Sequence, residues 1–278
     1  MRMDLESVVV ENGVEVMYRY KYLPFNEYSL KTITEGTLKF TCPLDFNDPF
    51  DCSPAYDPKS IDNLHKYRPD LLKKVGDSKG LSPAKRIMNR GRFVQNIRNV
   101  VESGEYVKTL VSGISVFCVS RTPNNTLMWS HYADHHRGFL VELRIAMDTP
   151  DHHLTNLIPY QVSYQDKRPI VNWATACGKN LEEYFYTKSR DWDYEQEERV
   201  INPGQRSGIY PYSREHFLCS VIAGARMSPD DHQQLQRAVT QASSDIGKTI
   251  PLYQAKLATH SYRVYVPDHP FPEVSREI

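Results

Sequence analysis

The chain is 278 residues long with 40% hydrophobic and 24% charged residues, a globular composition that excludes a disordered or collagen-like polymer and suits one large domain with insertions. Thirty-four Lys plus Arg balance 34 Asp plus Glu, so the formal net charge is zero and any site for a polyanion must be local. No run approaches the roughly 18 unbroken apolar residues of a membrane span, and the opening MRMDLESVVVENG breaks its apolar stretch with acids, so a cytoplasmic protein with no membrane partner is expected.

The first expected strand is VEVMYRYKYL (14–23), rich in Val and Tyr with partial alternation. NEYSLKTITEG follows as a short helix capped by Asn26 and closed by Gly36, then TLKFTC as a second strand. Four prolines keep PLDFNDPFDCSPAYDP irregular. Residues 59–104 are expected to be helical, broken between Gly76 and Gly80, with SPAKRIMNRGRFVQNIRNVVESG as the clearest helix, capped by Ser82 with Pro83 in its first turn. VSGISVFCVS is a strand, RTPNN a turn, and TLMWSHYADHH begins a helix at Asn125 or Thr126. GFLVELRI and the irregular LIPYQVSYQ are strands. LEEYFYTKSRDWDYEQEERVI runs from helix into a strand at Arg199-Val200-Ile201. VIAGARMSPDDHQQLQRAVTQA gives a strand and an amphipathic helix opened by Ser228-Pro229 with Leu235 and Val239 inward, and PLYQAKLATHSYRVYVP closes with one or two strands. Strands and helices in mixed order without a regular βαβ repeat predict an α+β fold, mainly antiparallel, as a single domain over 1–278 with a basic helical insertion at 59–109.

Five cysteines (42, 52, 118, 177 and 219), none in a two-residue spacing, read as reduced and mostly buried thiols; Cys118, inside an apolar strand, reads as a core residue. The adjacent pairs His135-His136 and His152-His153 point their rings in different directions, so no metal site is expected. From Leu64 to Thr109 eleven Lys or Arg face four acids, a surplus of seven. Such a surplus is ordinarily a solvated helix face; the alternative is a nucleic-acid footprint carried by Lys85, Arg86, Arg90 and Arg92, with Tyr67, Phe93 and Tyr106 as stacking groups.

Four segments hold more polar and aromatic chemistry than a core needs. In Tyr18-Arg19-Tyr20-Lys21-Tyr22, alternation puts Arg19 and Lys21 on one sheet face and the tyrosines on the other, so either cation is solvated or holds a phosphate or ribose. In Phe46-Asn47-Asp48-Pro49-Phe50-Asp51, Asn47 and Asp48 are ordinary turn formers and secondary site candidates. In Met128-Trp129-Ser130-His131-Tyr132, Trp129, His131 and Tyr132 form either a core stripe or a surface on which a planar ring stacks. In Trp192-Asp193-Tyr194-Glu195-Gln196-Glu197, a strand would place Glu195 and Glu197 on one face about 7 Å apart, a spacing for cleaving a glycosidic bond through a cationic sugar. A run of acids is otherwise a wet surface.

The blocks YRYKY, GTLKFTCPLDFNDPFD, VFCVSRTPNNTLMWSHYADHHRGFLVEL, WDYEQEERVI and AGARMSP resemble the bacterial domain-of-unknown-function family numbered 2971, whose name implies no activity. The order of a cationic strand, a helix ending in Gly, a helix bearing Tyr and a Glu-x-Glu opening a strand is also similar to the ADP-ribosyltransferase superfamily. That resemblance implies NAD as substrate and transfer of ADP-ribose to a nucleic acid or protein, in a toxin or phage-defence setting with an antitoxin or defence partner. It gives Glu197 the sugar cation, Glu195 the acceptor, Tyr132 the nicotinamide, and Arg19, or Lys21 in its place, the ribose. Tyr20 lies beside those cations, and Thr41 stands where the superfamily carries a Ser-Thr-Ser strand. A non-enzymatic nucleic-acid or protein binding module and a nucleotide or glycoside hydrolase are the alternatives.

Overall fold

The structure is a computed structural model and describes residues 8–147, 157–172 and 181–277. It opens with a hairpin of β1 (Val8–Glu11) and β2 (Val14–Leu23), then α1 (Glu27–Thr34) and β3 (Thr37–Phe40). The Asn26 side chain accepts from the Ser29 N–H, and Gly36 takes the left-handed conformation (φ 66°) that turns the chain from helix into strand. After a 3-10 turn at Pro43–Asp45 and the short β4 (Ala55–Tyr56), helices occupy the stretch from Pro58 to Val111. They are α2 (Pro58–Asp62), α3 (Leu64–Tyr67), α4 (Pro69–Ser78), α5 (Pro83–Met88), α6 (Arg90–Glu102) and α7 (Glu105–Val111).

Ser82 caps α5 as expected, but the long helix expected from there is two. Asn89 leaves the helical conformation, and its side-chain amide donates to the Lys85 carbonyl at 2.7 Å, competing with the backbone ladder.

The rest of the chain supplies most of the main sheet. β5 (Ile114–Ser120), α8 (Thr126–Tyr132) and β6 (Phe139–Ala146) are followed by β7 (Tyr160–Gln161), β8 (Ser163–Gln165), β9 (Ile170–Val171), α9 (Leu181–Phe185) and β10 (Thr187–Ser189). A 3-10 segment, Arg190–Glu195, leads into β11 (Glu197–Pro203), β12 (Gly208–Pro211), α10 (Arg214–Phe217), β13 (Leu218–Ala223), α11 (Pro229–Ile246) and β14 (Leu252–Gln254). The strand order is β14-β13-β6-β2-β5-β11-β7, with β1 also on β2; every pair is antiparallel except β13 with β14. The fold is mixed α+β with mainly antiparallel pairing, and among the described residues no helix is long and apolar enough to cross a membrane.

Alternation along the strands sends side chains into cores on opposite faces. On one face Met17, Val141, Leu143 and Val221 meet α11 through Leu235 and Val239, both buried as the heptad-like spacing implies. On the other, Tyr20, Tyr22, Leu140 and Ile222 pack against Met128 and Trp129 of α8 and against Val266 and Val274 near the C-terminal end. A smaller cluster of Cys52, Val111, Phe185 and Tyr186 sits beneath α7. Of the four cysteines described, Cys52 is buried, whereas Cys42, Cys118 and Cys219 are half-buried, so the expectation of mostly buried thiols holds for one; Cys177 and the His152-His153 pair lie outside the described residues.

One irregularity of the sheet makes the site. β2 runs along β6 from Val16 to Leu23, but it touches β5 at a single pair, Tyr20 with Ser120. Further along the same edge of β5, Thr41 takes over and exchanges both backbone hydrogen bonds with Val116 at 2.9 Å. Between these partners β2 and β5 part, and the Cys118 carbonyl, left without a strand opposite, accepts from the Lys21 ammonium at 2.9 Å.

Candidate functional site

A cleft of about 410 Å³ opens where the two strands part, within the size range of ligand pockets. Its floor carries Tyr20, Lys21 and Tyr22 of β2 and Cys118 and Ser120 of β5, and Thr41 and Asn47 approach from the turn after β3. Met128, His131 and Tyr132 come from α8, and Lys188, Glu195 and Glu197 from the segment entering β11. Residues from five separate stretches of chain thus meet in one cavity.

The charged groups form a continuous chain of bonds. The Asn47 amide donates to the Tyr132 hydroxyl at 3.3 Å, and that hydroxyl donates to Glu195 Oε1 at 2.5 Å. The Lys188 ammonium donates to Glu195 Oε2 at 2.5 Å and to Glu197 Oε2 at 3.2 Å. Arg199 grips Glu197 through Nε and one terminal nitrogen, both at 2.8 Å, and forks onto Asp51 at 2.9 and 2.6 Å. Asp51 in turn lies 3.5 Å from Lys188. Aromatic faces cover both cations: Lys188 lies 4.9 Å from the Trp192 ring centre and Arg199 5.4 Å from that of Phe46.

Glu195 and Glu197 converge by a route other than the expected one. Glu195 ends the 3-10 segment, Gln196 is left-handed (φ 44°), and the strand begins at Glu197, so the two carboxylates do not share a strand face. The single Lys188 ammonium between them brings them together. Their environments then separate them: burial, and next the Glu197 charge, push the Glu195 carboxyl above its ordinary range. Burial works in the same direction on Glu197, but Arg199 and Lys188 outweigh it and hold that carboxyl far below its ordinary range. Burial and the Glu195 charge keep the Tyr132 phenol protonated, and burial and the Glu197 charge do the same to the Cys118 thiol, so Cys118 is no activated nucleophile.

α8 is set in place by the loop behind it. Asn125 caps it by accepting from the N–H groups of Leu127 and Met128. Asp134, His135 and His136 are all left-handed, and the chain then passes so close to β2 that a Cβ on Gly138 would lie 2.1 Å from the Leu23 carbonyl oxygen. The His136 ring stacks on Trp129 and its Nε2 lies 3.1 Å from the Ser130 hydroxyl, so this histidine fixes the helix.

The expected site residues separate accordingly. Glu195, Glu197, Tyr132, Tyr20, Lys21, Thr41, Asn47 and His131 line the cleft. Arg19 does not: it lies where β2 and β5 still pair, 1% exposed, and forks onto Glu198 at 2.5 and 3.0 Å, whereas Lys21 on the same face sits where the strands part. Trp129 does not either; it is fully buried, with its indole N–H donated to the Pro123 carbonyl and Tyr22 packed edge-on. Asp48 caps its own turn by accepting from the Phe50 N–H. Lys85, Arg90 and Arg92 are exposed on α5 and α6 as a nucleic-acid face would need, but Arg86 folds back onto the Leu81 carbonyl at 2.7 Å and Asp77 at 2.6 Å. Phe93 is buried beneath Lys79 and is not free to stack.

Lys188, Asp51 and Arg199 were not among the expected site residues. The available signal was charge at 195, 197 and 199 entering an apolar strand, which obliges compensating charges from elsewhere. No curated protein and no solved structure matches the chain. Residues 128–200, which carry Tyr132, Lys188 and both cleft glutamates, match the model of the family described as a protein of unknown function, DUF2971.

Proposed function

We propose that the cleft splits the bond between nicotinamide and ribose in NAD and passes ADP-ribose to a nucleophile on a macromolecule. The observation that carries this reading is the pair of carboxylates held by one ammonium yet pushed in opposite directions, Glu197 held ionised by its cations and Glu195 raised in its affinity for a proton by burial and the Glu197 charge.

In this reading the C1′–N bond breaks with its electron pair going to the pyridinium, so nicotinamide leaves neutral and needs no proton. Positive charge then develops on the ribose, and the fixed anion Glu197 stabilises it from inside the cavity. The acceptor attacks C1′ and its proton passes to Glu195. The raised affinity of Glu195 for a proton makes it a better base than an ordinary carboxylate. Tyr132 and Lys188 each hold one Glu195 oxygen and act as positioning residues; the Tyr132 ring also offers a face to the nicotinamide. Lys21, half-buried at the floor with a carbonyl for a partner and no carboxylate in ion-pair reach among the described residues, is the cation for a ribose or phosphate oxygen in place of Arg19. The cavity suits the nicotinamide riboside half of the substrate, with the adenylate half reaching out of its mouth.

The test is chromatographic detection of nicotinamide released from NAD. The wild type releases it, Glu197→Gln does not, and Glu195→Gln retains slow release without transfer. Release that continues undiminished in both variants removes the reading.

A further inference from the structure

The helical insertion carries a feature that the cleft chemistry leaves unused. Its surplus of seven charges in residues 64–109 sits on identifiable side chains. Arg68, Arg86, Arg98 and Lys108 are neutralised within the insertion by Asp70, Asp77, Asp62 and Glu105, and the remaining acid of residues 64–109, Glu102, forms no ion pair among the described residues. The remaining seven cations are Lys66, Lys73, Lys74, Lys79, Lys85, Arg90 and Arg92. All are exposed, and none meets a carboxylate within ion-pair distance among the described residues. The seven are spread over four consecutive short helices, α3 to α6, or the loops joining them, instead of forming i, i+4 pairs with acids as a solvated salt-bridged face does.

We infer that the exposed cations of the insertion dock the phosphate backbone of a nucleic acid. Seven like charges held on one small set of helices repel one another, and a linear polyanion relieves that repulsion by replacing its own condensed counterions. Exposed Tyr67 stands beside Lys66 as a stacking surface, at 53% exposure. Ile87 and Met88, 73% and 84% exposed, lie between Lys85 and Arg90 and supply apolar contact to bases. Two adjacent apolar side chains are too few for a helix that enters a bilayer, which needs a continuous apolar face. The insertion is also joined to the cleft, because α7 packs on β5 and on the Pro43–Asp45 turn that precedes Asn47.

The experiment is fluorescence anisotropy of the full chain with a labelled single strand of about 20 nucleotides, RNA and DNA in turn, against phosphatidylserine vesicles. With four of the seven cations on phosphates, affinity falls roughly 50-fold between about 50 and 200 mM salt. The triple variant Lys85→Glu/Arg90→Glu/Arg92→Glu loses at least tenfold in affinity, whereas Lys256→Glu, exposed and outside the insertion, leaves it unchanged. Should the first triple variant not melt like wild type, Lys66→Glu/Lys73→Glu/Lys74→Glu serves in its place. No binding at low salt, binding indifferent to salt or to the reversals, or binding to vesicles alone overturns the inference. Because these residues lie outside the cleft, nicotinamide release is unchanged in every reversal, so this result and that of the cleft test are read independently.

Discussion

The two faces of β11 bury nearly the same chemistry to different ends. On one face Glu198 and Arg19 close on each other in a two-oxygen fork, both about 1% exposed and neither among the residues that line the cleft. On the other, Glu197 and Arg199 make a similar fork but share it with Asp51, Lys188 and Glu195 at the wall of a cleft. A pair buried to about 1% exposure and outside the cleft lining has nothing to offer a ligand there. A pair extended into a network at a cavity wall tunes its outermost member, and Glu195 is that member. The difference is one of surroundings, not residue type, and each prediction below acts on it.

The largest expected effect is on the rate of transfer. Glu195→Gln keeps the shape and one hydrogen-bond acceptor but removes the base, and transfer falls by about 100- to 10,000-fold. Thermal melting of the same sample stays near wild type, since the variant leaves no new buried charge. The same exchange at Glu198 lowers the melting temperature and leaves the KM for NAD where it was.

Next in size is stability. Arg199→Met takes the guanidinium from Glu197 and Asp51, leaves these buried anions and Glu195 to share the single Lys188 ammonium, and costs about 3–5 kcal/mol in urea unfolding. Arg19→Met takes the guanidinium fork from one carboxylate, Glu198, and falls at the lower end of that range. Equal losses in the two variants would mean that the cleft network is no more interdependent than the pair of Arg19 and Glu198.

A pH profile sharpens the contrast further. The native Glu195 carboxyl binds its proton more tightly than the unfolded chain does, so its contribution to stability is full below the ordinary carboxylate range and is lost as pH rises through its raised native value. Glu195→Gln removes that loss and gains on wild type as pH rises. Activity moves in the opposite sense: a base must be ionised, so transfer climbs through the same interval. A hydrolase that used Glu195 as the proton donor to an oxygen leaving group would instead decline there, so the direction of the limb separates transfer from acid-catalysed glycoside cleavage.

Much of the framework was legible because it rests on local rules. Asn26, Asn125 and Ser228 cap their helices by accepting backbone hydrogen bonds, and Leu235 and Val239 face the core by helical period alone. The site was legible in part. Glu195, Glu197 and Tyr132 stood out by type and do reach one cavity, but through a left-handed Gln196 and a lysine that no period locates. Period 2 gave Arg19 and Lys21 a common face, yet it could not foresee that β2 and β5 separate just beyond Tyr20, leaving Lys21 at an open edge and Arg19 where the strands still pair. Asp51 and Lys188 are chosen by the charges they meet, a constraint visible only once the chain has folded.

The smallest expected effect is the most exacting test of the comparison. Replacing both members of the pair outside the cleft, Arg19→Met with Glu198→Leu, removes two desolvated charges together and puts apolar side chains of similar volume into an apolar core. Buried ion pairs exchanged in this way are often neutral or stabilising, so the double variant should unfold within about 1 kcal/mol of wild type. Nicotinamide release should not change, since neither side chain touches the cleft. The corresponding exchange on the other face, Arg199→Met with Glu197→Leu, cannot be neutral, because Asp51 loses its guanidinium fork and Lys188 loses Glu197 while both stay buried with Glu195. A double variant at 19 and 198 that loses activity at full stability would show that the sheet transmits that pair to the cleft, and the division between the two faces of β11 would then fail.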